Sequence, residues 1–211
     1  MRKVLIYGSG GHAKVVINAV ENENKYTIAG LIDDENPQGQ SVLGYEIIGS
    51  GRTLPELFNK SIRSCIVAIG DNAVRKLKTE YILKIGFELI TVTHPFSSIG
   101  KDVIIGKGAV VFGGVVIDPS VSIGRGVIVN DKALVGHDSI IEDFAHISAG
   151  ALVGGKCFVG ENSFIGMGAV IISNVKVGKN VFVGSGSVVT KDIQSNTKAM
   201  GIPARTIGSY M

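Results

Sequence analysis

Residues 129–152 read Val129-Asn-Asp-Lys-Ala-Leu, Val135-Gly-His-Asp-Ser-Ile, Ile141-Glu-Asp-Phe-Ala-His, Ile147-Ser-Ala-Gly-Ala-Leu: four hexads, each opening on Val or Ile. The register extends in both directions without an insertion, from Ile99 through Ile105, Val111, Ile117 and Ile123, then on through Val153, Val159, Ile165, Ile171, Val177, Val183 and Val189. All sixteen lead positions are therefore Val or Ile, although these two types make up only 53 of the 211 residues. Four places after each lead stands a small or modest residue, such as Ala109, Ala133, Ser139, Ala145, Cys157 and Ser163. Gly follows the lead in about half the hexads, where a turn needs φ > 0 or the backbone must come close to a neighbour. A hexapeptide period of this kind marks a parallel β-helix, a solenoid of short strands stacked coil on coil. One branched side chain per strand fills the interior, a small partner fits beside it, and β-branching suits the extended backbone.

The period begins near residue 95, so the chain divides into residues 1–94, a solenoid over 95–194 and a tail over 195–211. The 21 basic and 18 acidic residues give a net charge of +3 and form no basic run, which argues against nucleic acid and an anionic membrane surface. Cys65 and Cys157 stand far apart with no CxxC, so they read as reduced, buried thiols. Met1 to Tyr7 leads straight into Gly8 as a first strand and is too short for a signal peptide. No segment reaches the ~18 apolar residues of a membrane span, and the expected compartment is the cytoplasm.

Residues 3–94 alternate strand and helix signals. Lys3 to Tyr7, Thr27 to Ile32, Cys65 to Ile69 and Glu88 to Val92 read as strands; Gly11 to Glu21, Leu54 to Phe58 and Asn72 to Ile85 read as helices; the stretch after Asp34 reads as a loop rich in Gly, Pro and Ser. This predicts a small α/β unit with a parallel sheet, a half-Rossmann βαβαβ arrangement. The turn Gly8-Ser9-Gly10-Gly11-His12-Ala13 fits G-x-G-x-x-A, with Asp33 about 20 residues on. Alone that pattern suggests NAD. A dinucleotide site needs two mononucleotide halves, however, and about 90 residues supply one. One half holds one nucleotide: backbone N–H groups at the loop meet a phosphate, Asp33 or Asp34 accepts from a base or ribose, and Gly70-Asp71-Asn72 with Arg75 converges on the same crevice.

Four histidines are available for acid–base work. His94 precedes Pro95 at the unit boundary and reads as structural; His12 sits in the nucleotide loop. His137 and His146 fall where solenoid side chains point outward. Asp138 follows His137 directly, and a carboxylate there fixes the imidazole tautomer and raises its basicity. Gly154-Gly155 lies one coil beyond, so a free amide would sit over the histidine, giving a base and an oxyanion donor in one place. The spacing of His137, Asp138, Asp143 and His146 matches no standard zinc pattern, and no G-x-S-x-G nucleophile motif is present. Direct group transfer without a metal is the expected chemistry.

Taken together, Gly8-Ser-Gly-Gly-His-Ala-Lys-Val-Val, the Asp33-Asp34 pair, Val135-Gly-His-Asp-Ser, Asp143-Phe-Ala-His-Ile-Ser-Ala-Gly-Ala and Gly201-Ile-Pro-Ala-Arg resemble the bacterial sugar acetyltransferases with a left-handed β-helix. These include N-acetyltransferases of nucleotide-linked 4-amino sugars and sialic-acid O-acetyltransferases. The resemblance implies a half-Rossmann domain followed by a left-handed parallel β-helix; handedness comes from it alone. It also implies acetyl-CoA as co-substrate and a nucleotide-linked amino-deoxysugar, with UDP the expected carrier, as acceptor in surface-glycan synthesis. By similarity His137 is the general base and Asp138 its partner; His146, Gly155, Met167, Ser185, Pro203, Ala204 and Arg205 meet acetyl-CoA; Gly8, Gly10, Gly11, His12, Asp33, Asp34, Gly70 and Asp71 bind the nucleotide sugar. The family implies a homotrimer with active sites between subunits. O-acetylation of sialic acid or another free sugar stands as the alternative, and a non-catalytic or carbonic-anhydrase-like solenoid as a third reading.

Overall fold

The computed structural model describes residues 1–210. They form two compact units, Met1–Pro95 and the remainder from Phe96. No helix among the described residues is long and apolar enough to cross a membrane.

The first unit runs β1 (Arg2–Tyr7), α1 (Gly11–Glu23), β2 (Tyr26–Ile32), β3 (Ser41–Val42), β4 (Tyr45–Gly49), α2 (Leu54–Asn59), β5 (Ser64–Val67), α3 (Asn72–Ile85) and β6 (Glu88–Leu89). Its sheet has the order β3-β4-β2-β1-β5-β6, parallel throughout except for the β3–β4 pair. Central β1 carries Val4, Leu5 and Ile6, all fully buried, which is why it reads as a continuous apolar run rather than an alternating one. Helix α3 starts on Asp71, whose carboxylate accepts from the Val74 N–H at 2.8 Å, and stops at Gly86, where φ is 109°. The hairpin β3–β4 replaces the loop expected there. Leu43 and Gly44 turn it with φ of 49° and 84°, the backbone of a primed turn. A Leu-Gly pair carries none of the Asn or Asp that normally announces such a turn, so the local signal was missing.

The second unit is a three-sided parallel β-helix. Each two-residue strand pairs with the strand eighteen residues on, so the leads stack in three rows: Val111, Val129, Ile147, Ile165 and Val183 on the first face; Ile99, Ile117, Val135, Val153, Ile171 and Val189 on the second; Ile105, Ile123, Ile141, Val159 and Val177 on the third. Leads and their small partners four places on make one continuous apolar core. The glycine after the lead serves close approach and not a left-handed turn. A Cβ on Gly106, Gly124, Gly136, Gly160 or Gly166 would meet backbone atoms of the next coil at 2.5–2.6 Å. Left-handed φ falls two places further along, at Asp102, Ser120, Lys132, Asp138, Phe144 and Lys156 among others. Residues beyond 195 close the coil. Thr197–Gly201 extends the first face by parallel pairing with Phe182–Val183, and Ala204–Ser209 returns antiparallel.

Candidate active site

In the first unit, the carboxyl ends of β1, β2 and β5 surround a cavity of about 400 Å³. Gly8, Gly10, Gly11, His12, Asp33, Asp34, Gly70 and Asp71 all line it, together with Tyr7, Ser9, Asn36, Val74 and Lys78. Parallel strands place all their carboxyl ends on one side, so loops distant in sequence converge there. Asp33 ties its loop: its carboxylate accepts from Ser9 Oγ at 2.6 Å and from the Glu35 and Asn36 N–H groups at 2.9 and 2.8 Å. Asp34 accepts from Tyr7 Oη and Lys78 Nζ, both at 2.6 Å, and from the Gly51 N–H at 2.9 Å. Burial works against ionisation of both carboxyls, but these donors outweigh it and hold each below the usual carboxylate range. His12 moves the other way. Burial, aided by the charge of Arg75, lowers it to about 4, so a neutral imidazole faces the cavity at neutral pH.

Arg75 itself departs from expectation. It is 1 % exposed and does not line the cavity; its guanidinium lies behind the Gly70 loop, donating to the carbonyls of Ile69 and Gly70 and to Asn72 Oδ1. Tyr7 and Lys78 escaped the sequence reading because only the fold carries them to Asp34, from 27 and 44 residues away.

On the β-helix, the turns leaving the second face stack Pro119, His137 and Gly155 along one edge. The Asp138 N–H reaches the Pro119 carbonyl at 3.2 Å, and the Lys156 N–H the His137 carbonyl at 2.7 Å. His137 Nδ1 lies 2.8 Å from Asp138 Oδ2, both side chains more than half exposed. An exposed pair contributes little stability; its consequence is orientation. With Nδ1–H donating to the carboxylate, Nε2 carries the lone pair. Asp138 holds φ of 58°, a conformation that Asp tolerates better than most residues. The His137 ring occupies the space that a Gly155 side chain would fill, with a Cβ there 2.6 Å from Nε2. The Gly155 N–H donates to no group among the described residues. Equivalent amides on another edge are occupied: Arg125 N donates to Asp143 Oδ1 at 2.7 Å, Glu161 N to Glu142 Oε2 and Lys179 N to Ser195 Oγ, each at 3.0 Å.

The remaining candidates lie elsewhere on the coil. Met167 and Ser185 sit on the edge leaving the first face, where the Gly186 N–H bonds the Met167 carbonyl at 2.8 Å. The closing hairpin joins that same edge: the Gly201 N–H donates to Ser187 Oγ at 3.1 Å, and Arg205 pairs with Met200. Met167, Ser185 and the segment Pro203-Ala204-Arg205 thus follow one line, while His137 and Gly155 follow another. His146 points from the first face but is only 7 % exposed, because Phe164 meets it edge-on at 5.0 Å in a ladder continued by Phe182 and Tyr210.

Residues 3–82 match the family model of the PglD N-terminal domain, and residues 156–191 that of the bacterial transferase hexapeptide (six repeats). Across 99 % of its length the chain is similar to a histidine-to-asparagine mutant of perosamine N-acetyltransferase from Caulobacter crescentus in complex with CoA and GDP-perosamine, with 33 % identity, a TM-score of 0.95 and 98 % of that chain covered. It is likewise similar to the acetyltransferase domain of PglB from Neisseria gonorrhoeae in complex with acetyl coenzyme A, at 35 % identity and a TM-score of 0.91, over 98 % of this chain and 99 % of that one. UDP-N-acetylbacillosamine N-acetyltransferase of Bacillus subtilis is 32 % identical over 114 residues, 53 % of this chain and 51 % of that protein. The chain spans about half the length of the curated relatives it matches. With an α/β unit and a left-handed parallel β-helix shared from end to end with these solved structures, the chain belongs to the bacterial hexapeptide-repeat sugar acetyltransferase family.

Proposed function

We propose that this protein transfers acetyl from acetyl-CoA to the amino group of a nucleotide-linked 4-amino-deoxysugar, with His137 as general base. The observation that carries this reading is His137 itself: Nδ1 engaged by Asp138 at 2.8 Å, Nε2 carrying the lone pair, and the ring packed over Gly155, whose N–H is unshared among the described residues. Acetyl-CoA supplies an activated thioester. His137 Nε2 removes a proton from the sugar nitrogen as that nitrogen bonds to the carbonyl carbon. The Gly155 amide donates to the oxygen that gains negative charge. Asp138 stabilises the imidazolium, which returns its proton to the departing CoA sulfur as the C–S bond breaks. The amide product and free CoA thiol account for every atom.

The 400 Å³ cavity of the first unit supports a nucleotide diphosphate as the acceptor's carrier, with Gly8 to His12 and Gly70-Asp71 at the phosphates and Asp33 toward the nucleoside. The related proteins include one named for a UDP-linked and one complexed with a GDP-linked amino sugar, so both carriers belong in the test. The line of Met167, Ser185 and Pro203-Ala204-Arg205 supports an extended CoA track. On a single chain that line and His137 occupy different edges, which supports an active site completed by a neighbouring subunit of a homotrimer.

Release of CoA thiol is measured with UDP-, GDP- and dTDP-linked 4-amino sugars, and with free sialic acid in parallel. Turnover with one nucleotide amino sugar is the expected result. Turnover with sialic acid alone would replace N-transfer by O-transfer, and silence throughout would overturn the assignment.

A further inference from the structure

Among the described residues, Arg75 is one of the largest fully buried side chains and the only charged one of that group. A buried cation is expensive unless its donors are matched. Here Nη1 donates to the Ile69 carbonyl at 3.1 Å and the Gly70 carbonyl at 3.0 Å, and Nη2 to Asn72 Oδ1 at 2.7 Å. Two successive carbonyls therefore turn toward one guanidinium. Both following peptides are trans, and in a trans peptide the N–H points opposite to the carbonyl of the same unit. The N–H groups of Gly70 and Asp71 are thus directed away from Arg75, and these two residues line the cavity. Across it, Gly10 and Gly11 have open space where a Cβ would stand.

We propose that Arg75 is the positioning residue of the nucleotide cavity: by gathering the Ile69 and Gly70 carbonyls behind the loop, it presents the Gly70 and Asp71 amides as preset donors for a diphosphate. The proposal rests on the nucleotide-sugar reading above and adds the group that reads the diphosphate as distinct from the nucleoside. Arg75 never touches the ligand. Its planar fork holds two carbonyls and an amide oxygen at once, a geometry that the single ammonium of lysine cannot reproduce. The cation adds positive potential behind the two amides, which favours an anion in front of them. His12, whose Cβ lies beside Gly70, feels the same charge.

The test uses the full chain, with UDP, GDP and dTDP as probes and uridine, guanosine and thymidine as their uncharged counterparts. In ¹⁵N-labelled wild type, the Gly70 and Asp71 amide resonances move downfield on saturation with whichever diphosphate binds. Arg75→Lys weakens that diphosphate about tenfold or more, as expected for losing preset charge-assisted donors, changes the affinity of the matching nucleoside less than about threefold, and leaves CoA binding unaltered. Asn72→Ala keeps the guanidinium and loosens one of its anchors, so the ratio of diphosphate to nucleoside affinity falls in the same direction by a smaller factor, even where Arg75→Lys folds poorly. Unmoved Gly70 and Asp71 resonances, or a ratio unchanged in Asn72→Ala, would overturn the positioning role while leaving the nucleotide reading intact. Wild type that binds none of UDP, GDP and dTDP would overturn the nucleotide reading, and the proposal with it.

Discussion

The His137 ring lies over Gly155 so closely that a Cβ on the glycine would stand 2.6 Å from Nε2, 2.8 Å from Cε1 and 2.9 Å from Cδ2. Each partner limits the other: the histidine keeps its place because the glycine has no side chain, and Gly155 stays beside the proposed base. Gly155→Ala displaces an exposed ring end and no backbone, so we expect a melting temperature close to wild type. Turnover falls about tenfold or more, since small displacements of reacting groups are costly. Loss of fold instead of activity would refute this.

His137→Ala removes the base and lowers turnover by about 10²-fold or more, with the assembly state and CoA binding preserved. Asp138→Asn keeps a residue type that accepts the left-handed backbone and removes only the charge, so turnover falls while stability holds. Steady-state kinetics beside thermal melting separate the two effects; unchanged turnover in His137→Ala would remove it as the base.

Subunit mixing tests the arrangement of edges. We expect His137→Ala and a Ser185→Trp variant that blocks the proposed CoA line each to be inactive alone. Co-refolded, they regain activity, because in the proposed trimer one interface of a mixed assembly can combine an intact His137 edge with an intact Ser185 edge. Additive inactivity in the mixture would show that both groups act within one chain.

The two glycine classes of the β-helix separate in stability measurements. Gly160→Ala drives a Cβ into the Gly178 backbone at 2.6 Å and costs about 2–3 kcal/mol, the range of overpacking. Gly150→Ala meets open space at φ of 66° and costs about 1 kcal/mol, for the left-handed conformation alone. Urea unfolding of the two variants gives the comparison; equal losses would contradict close coil approach as the reason for the glycine after the lead.

Acid stability has two windows. His12 is about 4 in the folded chain against an ordinary value of about 6.5, so its contribution is whole above about 6.5 and declines as the pH falls toward 4. Asp33 and Asp34 are lowered by the donors that outweigh their burial. Their contribution is present above the ordinary carboxylate value and disappears as the pH drops through their depressed folded values. We expect His12→Asn to flatten the urea midpoint between pH 6.5 and 4, and Asp34→Asn to flatten it below that. The reverse pattern would contradict the environments described.

The β-helix was legible because its period is local: each hexad repeats the same demand for one branched interior side chain, and no distant residue is needed to state it. Gly-Ser-Gly-Gly and Asp33-Asp34 were legible for a related reason, since loops at the ends of parallel strands carry small and acidic residues at fixed offsets. The hairpin after Gln40 was not, because Leu43-Gly44 lacks ordinary turn chemistry. Arg75 misled for the opposite reason, as an arginine near a glycine loop suggests contact with an anion, whereas only packing determines which side of the loop it occupies.

From sequence alone came the two units, the solenoid, the adjacency of His137 and Asp138 and the set of loops around the cavity of the first unit, because these follow from backbone period and nearest neighbours. Tertiary structure alone decided that Tyr7 and Lys78 share Asp34, that Arg75 stands behind the Gly70 loop, and that His137 and Met167 take different edges of the coil. Each depends on where residues many positions apart are carried by strand order and coil stacking, and a linear pattern does not contain those distances.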